Sequence, residues 1–186
     1  MSLETDICLV WHEDLTGGQL YQLEQLFNAE YRADEGAWNP DAPYGYAPAE
    51  LHVMAVEGGR VVGHVGTQRR MIVVGDHDVL VAGTGGVLVS PSHRGQGLGV
   101  QLLAEAQDAA RSTAPADYGY LGCREEVVPF YESCGYKRLE VTERFRSRGG
   151  SGHTVEETGA PVMVCSGTRD VDTWPNGRID LRGRCW

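Results

Sequence analysis

Apolar and polar positions follow two rhythms along this chain, and the switches between them mark its elements. Asp6–Trp11 is a short apolar run and predicts a first strand. Thr16, Gly17 and Gly18 end it. Leu20, Leu23, Leu26 and Phe27 then recur at helical spacing and predict an amphipathic helix over about 17–32. Leu51–Val56 and Arg60–Val65 flank Gly58-Gly59, the pattern of a hairpin, with the second strand running on to Val74. Gly75–Asp78 predicts a further turn, and Val79 starts a strand that reaches Val87, Leu88 and Val89. Helical rhythm returns in Val100–Arg111, for a helix over about 97–112. Tyr118–Leu121 predicts a short strand, and Glu125–Cys134 a short helix closed by Gly135 as its C-cap. Tyr136–Arg146 alternates like one strand, Ser147–Gly159 reads as a loop, and Pro161–Ser166 is a last apolar strand. The order predicts one domain of the α+β class over residues 1–186, a mixed, mainly antiparallel sheet flanked by helices.

Two stretches break the rhythm. Glu30–Pro48 is rich in Gly, Pro, Asp and aromatic residues, and is too long and irregular for a plain connector. It carries Asp34, Glu35 and Asp41 with Tyr31, Trp38, Tyr44 and Tyr46. It reads equally as a binding loop or as a surface loop packed on its own aromatics. The other stretch is Ala82–Val100, AGTGGVLVSPSHRGQGLGV, in the order strand, glycine-rich turn, helix. Such a turn leaves backbone N–H groups unpaired at a positive helix N-terminus, and missing side chains let a ligand approach. That is an anion site, most naturally for a phosphate or pyrophosphate. No Lys-Ser or Lys-Thr pair follows the glycines, so it is not a P-loop. Counted from Gly95, the last position of the dinucleotide fingerprint falls on Val100 instead of glycine.

Composition narrows the picture. The chain has 186 residues with ordinary apolar (41%) and charged (23%) content, enough for one sizeable core. Its net charge of −10 argues against a nucleic-acid backbone as partner. The five cysteines, Cys8, Cys123, Cys134, Cys165 and Cys185, are dispersed and lack a C-x-x-C pair. Neither a disulfide framework, a zinc site nor a cysteinyl-acyl intermediate is expected. The N-terminus has no secretory pattern, and no apolar run is long enough to span a membrane, so a cytoplasmic protein is expected.

The glycine-rich turn fits [RQ]-x-x-G-x-[GA] through Arg94, Gly97 and Gly99. That pattern resembles the acyl-CoA pyrophosphate loop of the GNAT superfamily of N-acyltransferases. The likeness extends over nearly the whole chain and is sharpest toward two branches. Leu51–Met71, Gly86–Gly99 and the ending Arg182-Gly183-Arg184-Cys185-Trp186 are similar to the aminoglycoside 2′-N-acetyltransferases. Gly36–Leu51, Gly63–Pro91 and Asp172–Gly183 resemble the rhizobial nodulation N-acyltransferase, which puts a fatty acyl group on a glucosamine amine. Both branches acylate the amine of an amino sugar.

The resemblance implies the GNAT fold, acetyl-CoA as donor with no metal, and direct transfer in a ternary complex to an aminoglycoside or amino-sugar amine. A longer-chain acyl donor with a glucosamine-like acceptor is the alternative, and a non-catalytic CoA-binding domain the rival from another class. A homodimer is common in the superfamily. The resemblance assigns pyrophosphate binding to Gly95, Gln96, Gly97, Leu98, Gly99 and Val100 with Arg94 adding charge. It implies a bulged strand over 83–89 that diverges from 118–122, with Val87, Leu88 and Val89 along the donor. A backbone N–H near Val87 then faces the thioester oxygen. Tyr131 is the implied acid for the leaving sulfur. For the base, Asp34, Glu35, Asp41, Glu50, His52, His64 and a water chain all stay open. Asp34, Glu35, Asp41, Asp180 and Trp186 are the candidate acceptor residues. The aminoglycoside branch places acids where this chain has Gly85 and Arg184.

Overall fold

A computed structural model describes residues 5–149 and 152–186. Its frame is the hairpin of β3 (Arg60–Val74) and β4 (His77–Val89), antiparallel throughout and joined by the two-residue turn Gly75-Asp76. β2 (Leu51–Glu57) pairs with the first half of β3, and β1 (Thr5–Trp11) with β2. On the other side, β4 meets β5 (Tyr118–Gly122) in parallel, and β5 is followed by β9 (Val162–Ser166) and β6 (Lys137–Leu139). The far end of β3 takes β10 (Ile179–Arg184), which carries β7 (Thr142–Arg146) and β8 (Thr154–Thr158). The sheet is therefore mixed and mainly antiparallel, as the residue pattern predicts.

Strand alternation puts the helices on opposite faces. Met54, Val61 and Leu88 point to α1 (Gly17–Glu35) and pack with Leu23, Leu26 and Phe27. Val53, Ala55 and Val62 point the other way and pack with Leu98, Leu102, Leu103 and Ala106 of α2 (Leu98–Ala109). Both faces of β3 are covered, which is why Val61–Thr67 is buried without a break. A capping box starts α1: the Gln19 N–H donates to Thr16 Oγ1, and the Thr16 N–H to Gln19 Oε1. A third core lies at the far end, with Ile72, Val79, Tyr118, Tyr120, Ile179 and Leu181.

The structure departs from the residue pattern at five places. α1 runs to Glu35, so Asp34 and Glu35 lie on its last turn, and Gly36 at φ +86° ends it. The expected single strand over Tyr136–Arg146 is two, because β6 pairs with β9 while β7 pairs with β8 and β10. The expected loop after Ser147 contains β8, a mostly exposed edge strand of polar residues whose composition hides it. β10 is short, with Ile179 and Leu181 buried and Asp180 half-buried between them. The helix expected over Glu125–Cys134 is a 3₁₀ turn followed by α3 (Val128–Ser133).

Inside the third core, the buried Glu143 carboxyl accepts a hydrogen bond from Tyr120. Burial pushes this carboxyl above its ordinary value of 4.5, with Glu157 adding to the rise and the Tyr120 bond opposing it. The folded state thus holds the Glu143 proton more tightly than the unfolded chain does. Stability contributed there is present at low pH and is lost as pH rises from about the unfolded value through the raised folded value. Glu143→Gln keeps the acceptor for Tyr120 and removes the titration. Urea denaturation between pH 4.5 and 8 should show the variant declining less with pH than the parent, and at least as stable above neutrality.

Candidate functional site

The site begins where β4 leaves its neighbour. β4 and β5 pair only over Val81–Gly83 with Tyr118–Tyr120. Beyond Gly83 no residue of β4 pairs with β5, while β9 pairs with the other side of β5 along all of Tyr118–Gly122. On the other side, the ladder passes from His64↔Leu88 to Gly66↔Gly85, so Gly86 and Val87 together face Val65. This is a β-bulge on β4, and Gly86 takes φ +57° to make it. The result is a strand with an open edge on the side facing β5.

β4 feeds the glycine-rich turn. Ser90–His93 forms a short 3₁₀ turn braced by His93, whose ring bonds Ser90 Oγ at 2.7 Å and Glu57 Oε2 at 3.1 Å. Gly95 (φ +74°) and Gly97 (φ +81°) are left-handed, and a side chain at either would meet open space. They are glycine for backbone conformation, not for room inside the protein. The first backbone bond after them is Gln101 N–H to Gly97 C=O at 3.1 Å. The N–H groups of Leu98, Gly99 and Val100 are therefore the free donors of the first turn of α2. Arg94 donates from Nε to Val89 C=O at 2.8 Å and pairs with Glu30 at 2.8 Å, which holds its guanidinium beside this turn.

A pocket lies on the α1 face of the bulge. Its walls are Trp38, Pro40 and Pro43 from the irregular stretch, Phe27 of α1, His52 and His64, and Gly66, Gln68, Gly85, Gly86 and Trp186. Its cavity measures about 30 Å³ and opens to solvent, so it takes in one polar group of a larger molecule lying across its mouth. Trp186 forms one side. Its indole N–H donates to Gln68 Oε1 at 3.0 Å, its ring lies over Gly83, and the Arg70 guanidinium sits 4.1 Å above it. Arg70 also donates to Leu181 and Arg184 C=O, fixing β10 against β3. A Cβ at Gly85 would lie 2.6 Å from the Trp186 backbone. The acid of the aminoglycoside branch therefore has no space here.

Three histidines stand in file beside the pocket. His64 bonds Gly86 C=O at 2.7 Å, His52 bonds His64 at 2.9 Å, and His12 bonds His52 at 3.0 Å. The outer nitrogen of His12 lies 3.6 Å from Asp41. Phe27 rests edge-on against His64 and stacks on Trp38. Trp38 is buried, and its indole N–H has no partner among the described residues.

The sequence candidates fall into groups. His52, His64 and Trp186 line the pocket, Val87–Val89 run on from the bulge to the end of β4, and Arg94–Val100 form the turn and the start of α2 beyond it. Asp41 stands at the outer end of the histidine file. Glu50 is tied to Arg69, accepting at 2.6 Å from its Nε and at 3.0 Å from its N–H. Asp34 is exposed, Glu35 faces Arg148 at 3.5 Å, and Asp180 lies beside Arg144 in a separate groove. None of these three lines the pocket. Tyr131 of α3 is buried edge-on against Tyr136, whose hydroxyl lies 3.5 Å from Thr84, the first β4 residue beyond the β5 pairing. Its own hydroxyl makes no hydrogen bond to the described residues, and burial holds it well above the ordinary tyrosine range. Residue-type reasoning alone does not single out His12, Gln68 or Arg70. The hairpin pattern could not have found the pair His52 and His64 either: the register set by the Gly58-Gly59 turn puts them on opposite faces, and only the shift between Val56 and Ala55, which sets Met54 opposite His64 and His52 opposite Gly66, brings them to one face.

Comparison with known proteins agrees with this geometry. The family described as nodulation protein A (NodA) matches residues 3–184. Nodulation protein A of Azorhizobium caulinodans is 35% identical, over 93% of this chain and 80% of its own. That of Rhizobium leguminosarum bv. trifolii is 28% identical over 95% of each. Among solved structures, the GNAT family N-acetyltransferase YhbS of Escherichia coli, in complex with CoA, superposes with a TM-score of 0.63. It is 19% identical and covers 97% of this chain and 91% of its own, which is a likeness of fold. The chain has the fold of the GNAT N-acetyltransferase it superposes on, and it belongs to the nodulation protein A family.

Proposed function

We propose that the protein transfers an acyl group from acyl-CoA to the amine of a glucosamine-type sugar that carries one amine. The observation that carries this is the pocket lining, which holds no Asp, Glu, Lys or Arg side chain. A polycationic aminoglycoside needs carboxylates to replace the water around each ammonium, and burying such charges unpaired is costly. A sugar with one amine and several hydroxyls needs only neutral partners. Gln68 and Thr67 supply them. The same surroundings favour the neutral amine, because desolvation disfavours the ammonium. Only the neutral amine has the lone pair that attacks. Membership of the NodA family supports the same acceptor class.

The residues present fit a CoA donor. Gly95 and Gly97 open onto free space at the N-terminus of α2. The N–H groups from Gly95 to Val100 would hold the pyrophosphate, with Arg94 beside them. Val87, Leu88 and Val89 would align the rest of the donor along the open edge of β4. When bound, the donor supplies an acyl group activated as a thioester. The Val87 N–H, next to the bulge, would receive the charge that develops on the acyl oxygen, a contribution of roughly 3 kcal/mol for one such donor. Tyr131, kept protonated by burial, gives the leaving sulfur its proton. The proton lost by the amine passes to water.

Purified protein incubated with acetyl-CoA or a long-chain acyl-CoA, and with glucosamine oligomers or aminoglycosides, reports donor and acceptor together by product mass. A gain of one acyl group on glucosamine oligomers, with aminoglycosides unchanged, is the expected result. Acylation of aminoglycosides alone would sink the single-amine reading. Gly97→Asp puts a carboxylate among the phosphate-binding N–H groups, and calorimetry should find CoA binding weaker by about tenfold or more. Tyr131→Phe should lower kcat by about 10- to 100-fold with little change in KM for either substrate. An unchanged kcat would remove Tyr131 from the mechanism.

A further inference from the structure

The histidine file has a fixed direction. A carbonyl oxygen carries no proton, so the inner bond requires His64 to donate from Nδ1 to Gly86. A neutral His64 then accepts at Nε2, which requires His52 to donate from Nδ1. His52 in turn accepts at Nε2 from His12 Nδ1. One carbonyl thereby sets the tautomer of all three rings. Their dipoles lie head to tail, with the donating ends toward Gly86. The two inner rings are neutral near pH 7. Burial, with the neighbouring His64 and His12, brings His52 down to about 3, and burial brings His64 down to about 4 against the opposing bond to Gly86.

Two consequences follow. Both nitrogens of His52 and of His64 are already engaged within the file, so neither ring offers a lone pair to an amine in the pocket. The other consequence concerns the peptide that the file ends on. The Gly86 carbonyl and the Val87 N–H belong to one planar peptide group. A hydrogen bond donated to that carbonyl draws electron density across the group and makes its N–H a stronger donor, and a chain of such bonds reinforces the effect.

We infer that His64, backed by His52 and His12, is a positioning residue that orients and polarises the Gly86–Val87 peptide as the donor to the acyl oxygen. The inference rests on the role proposed above for the Val87 N–H. It makes the outer surface near Asp41, where His12 ends the file, electrically continuous with the reacting oxygen. A buried histidine cluster that merely fills space would not care which ring nitrogen donates.

That difference is testable with two substitutions of the same position. In His64→Asn the amide nitrogen takes the place of Nδ1 and still reaches Gly86. In His64→Gln it takes the place of Nε2 and does not. His64→Gln is expected to lower kcat by about 10- to 100-fold with KM within about threefold, while His64→Asn keeps at least about a third of the parent kcat. Nitrogen-15 NMR of the imidazoles in the parent protein should show His52 and His64 as Nδ1–H tautomers. An Nε2–H tautomer at either ring overturns the inference even if a variant fails to fold. Equal kcat for the two variants also overturns it. A parent protein that acylates no amine would sink the proposed function along with it, whereas an active parent indifferent to His64→Gln sinks this inference alone.

Discussion

One extra residue in β4 sets the arrangement of everything around it. The bulge at Gly86–Val87 uses a left-handed glycine, and a Cβ there would lie 3.2 Å from both His64 and Phe27. Conformation and space both require glycine. The bulge turns β4 past β5, so their pairing stops after three residues and an edge is left open. It also turns the Gly86 carbonyl toward His64 and places the pocket on the α1 face. Without the bulge, β4 would remain in regular register with β3, and the donor peptide would be absorbed into a ladder.

The parts of the site made of backbone were the parts most legible in the sequence. Gly95 and Gly97 announce a turn because no other residue adopts those angles at low cost, and that requirement shows in the sequence itself. The hairpin frame was legible for a similar reason, through alternation and the Gly58-Gly59 and Gly75-Asp76 turns. Side-chain chemistry was less legible, because it depends on register between distant strands. Asp180 alternates correctly with Ile179 and Leu181, yet its pairing with Val73 carries it away from Trp186 and the pocket. Asp34 and Glu35 belong to the last turn of a helix that is longer than its apolar stripe. His12 lies in no motif. It becomes part of the site only because β1 pairs with β2 so that Val10 stands opposite His52.

The irregular stretch after α1 packs on its own aromatics and also borders the pocket. Tyr31 meets Tyr44 edge-on and Trp38 stacks on Phe27, so it packs on aromatics as a self-contained loop would. Trp38, Pro40 and Pro43 also wall the pocket. Trp38 belongs to both sets, and its buried indole N–H has no partner among the described residues.

The docking of Trp186 on Gln68 joins residues 118 positions apart. β10 likewise closes against the far end of β3 only after every other strand has been made. Contacts of such separation are costly in chain entropy and form late. A nascent chain would thus complete its hairpin and both helical layers while one wall of its pocket was still being synthesised. Competence arrives with the last strand, and because β10 also buries Ile179 and Leu181 in the third core and carries β7 and β8, errors in it would cost activity and solubility together.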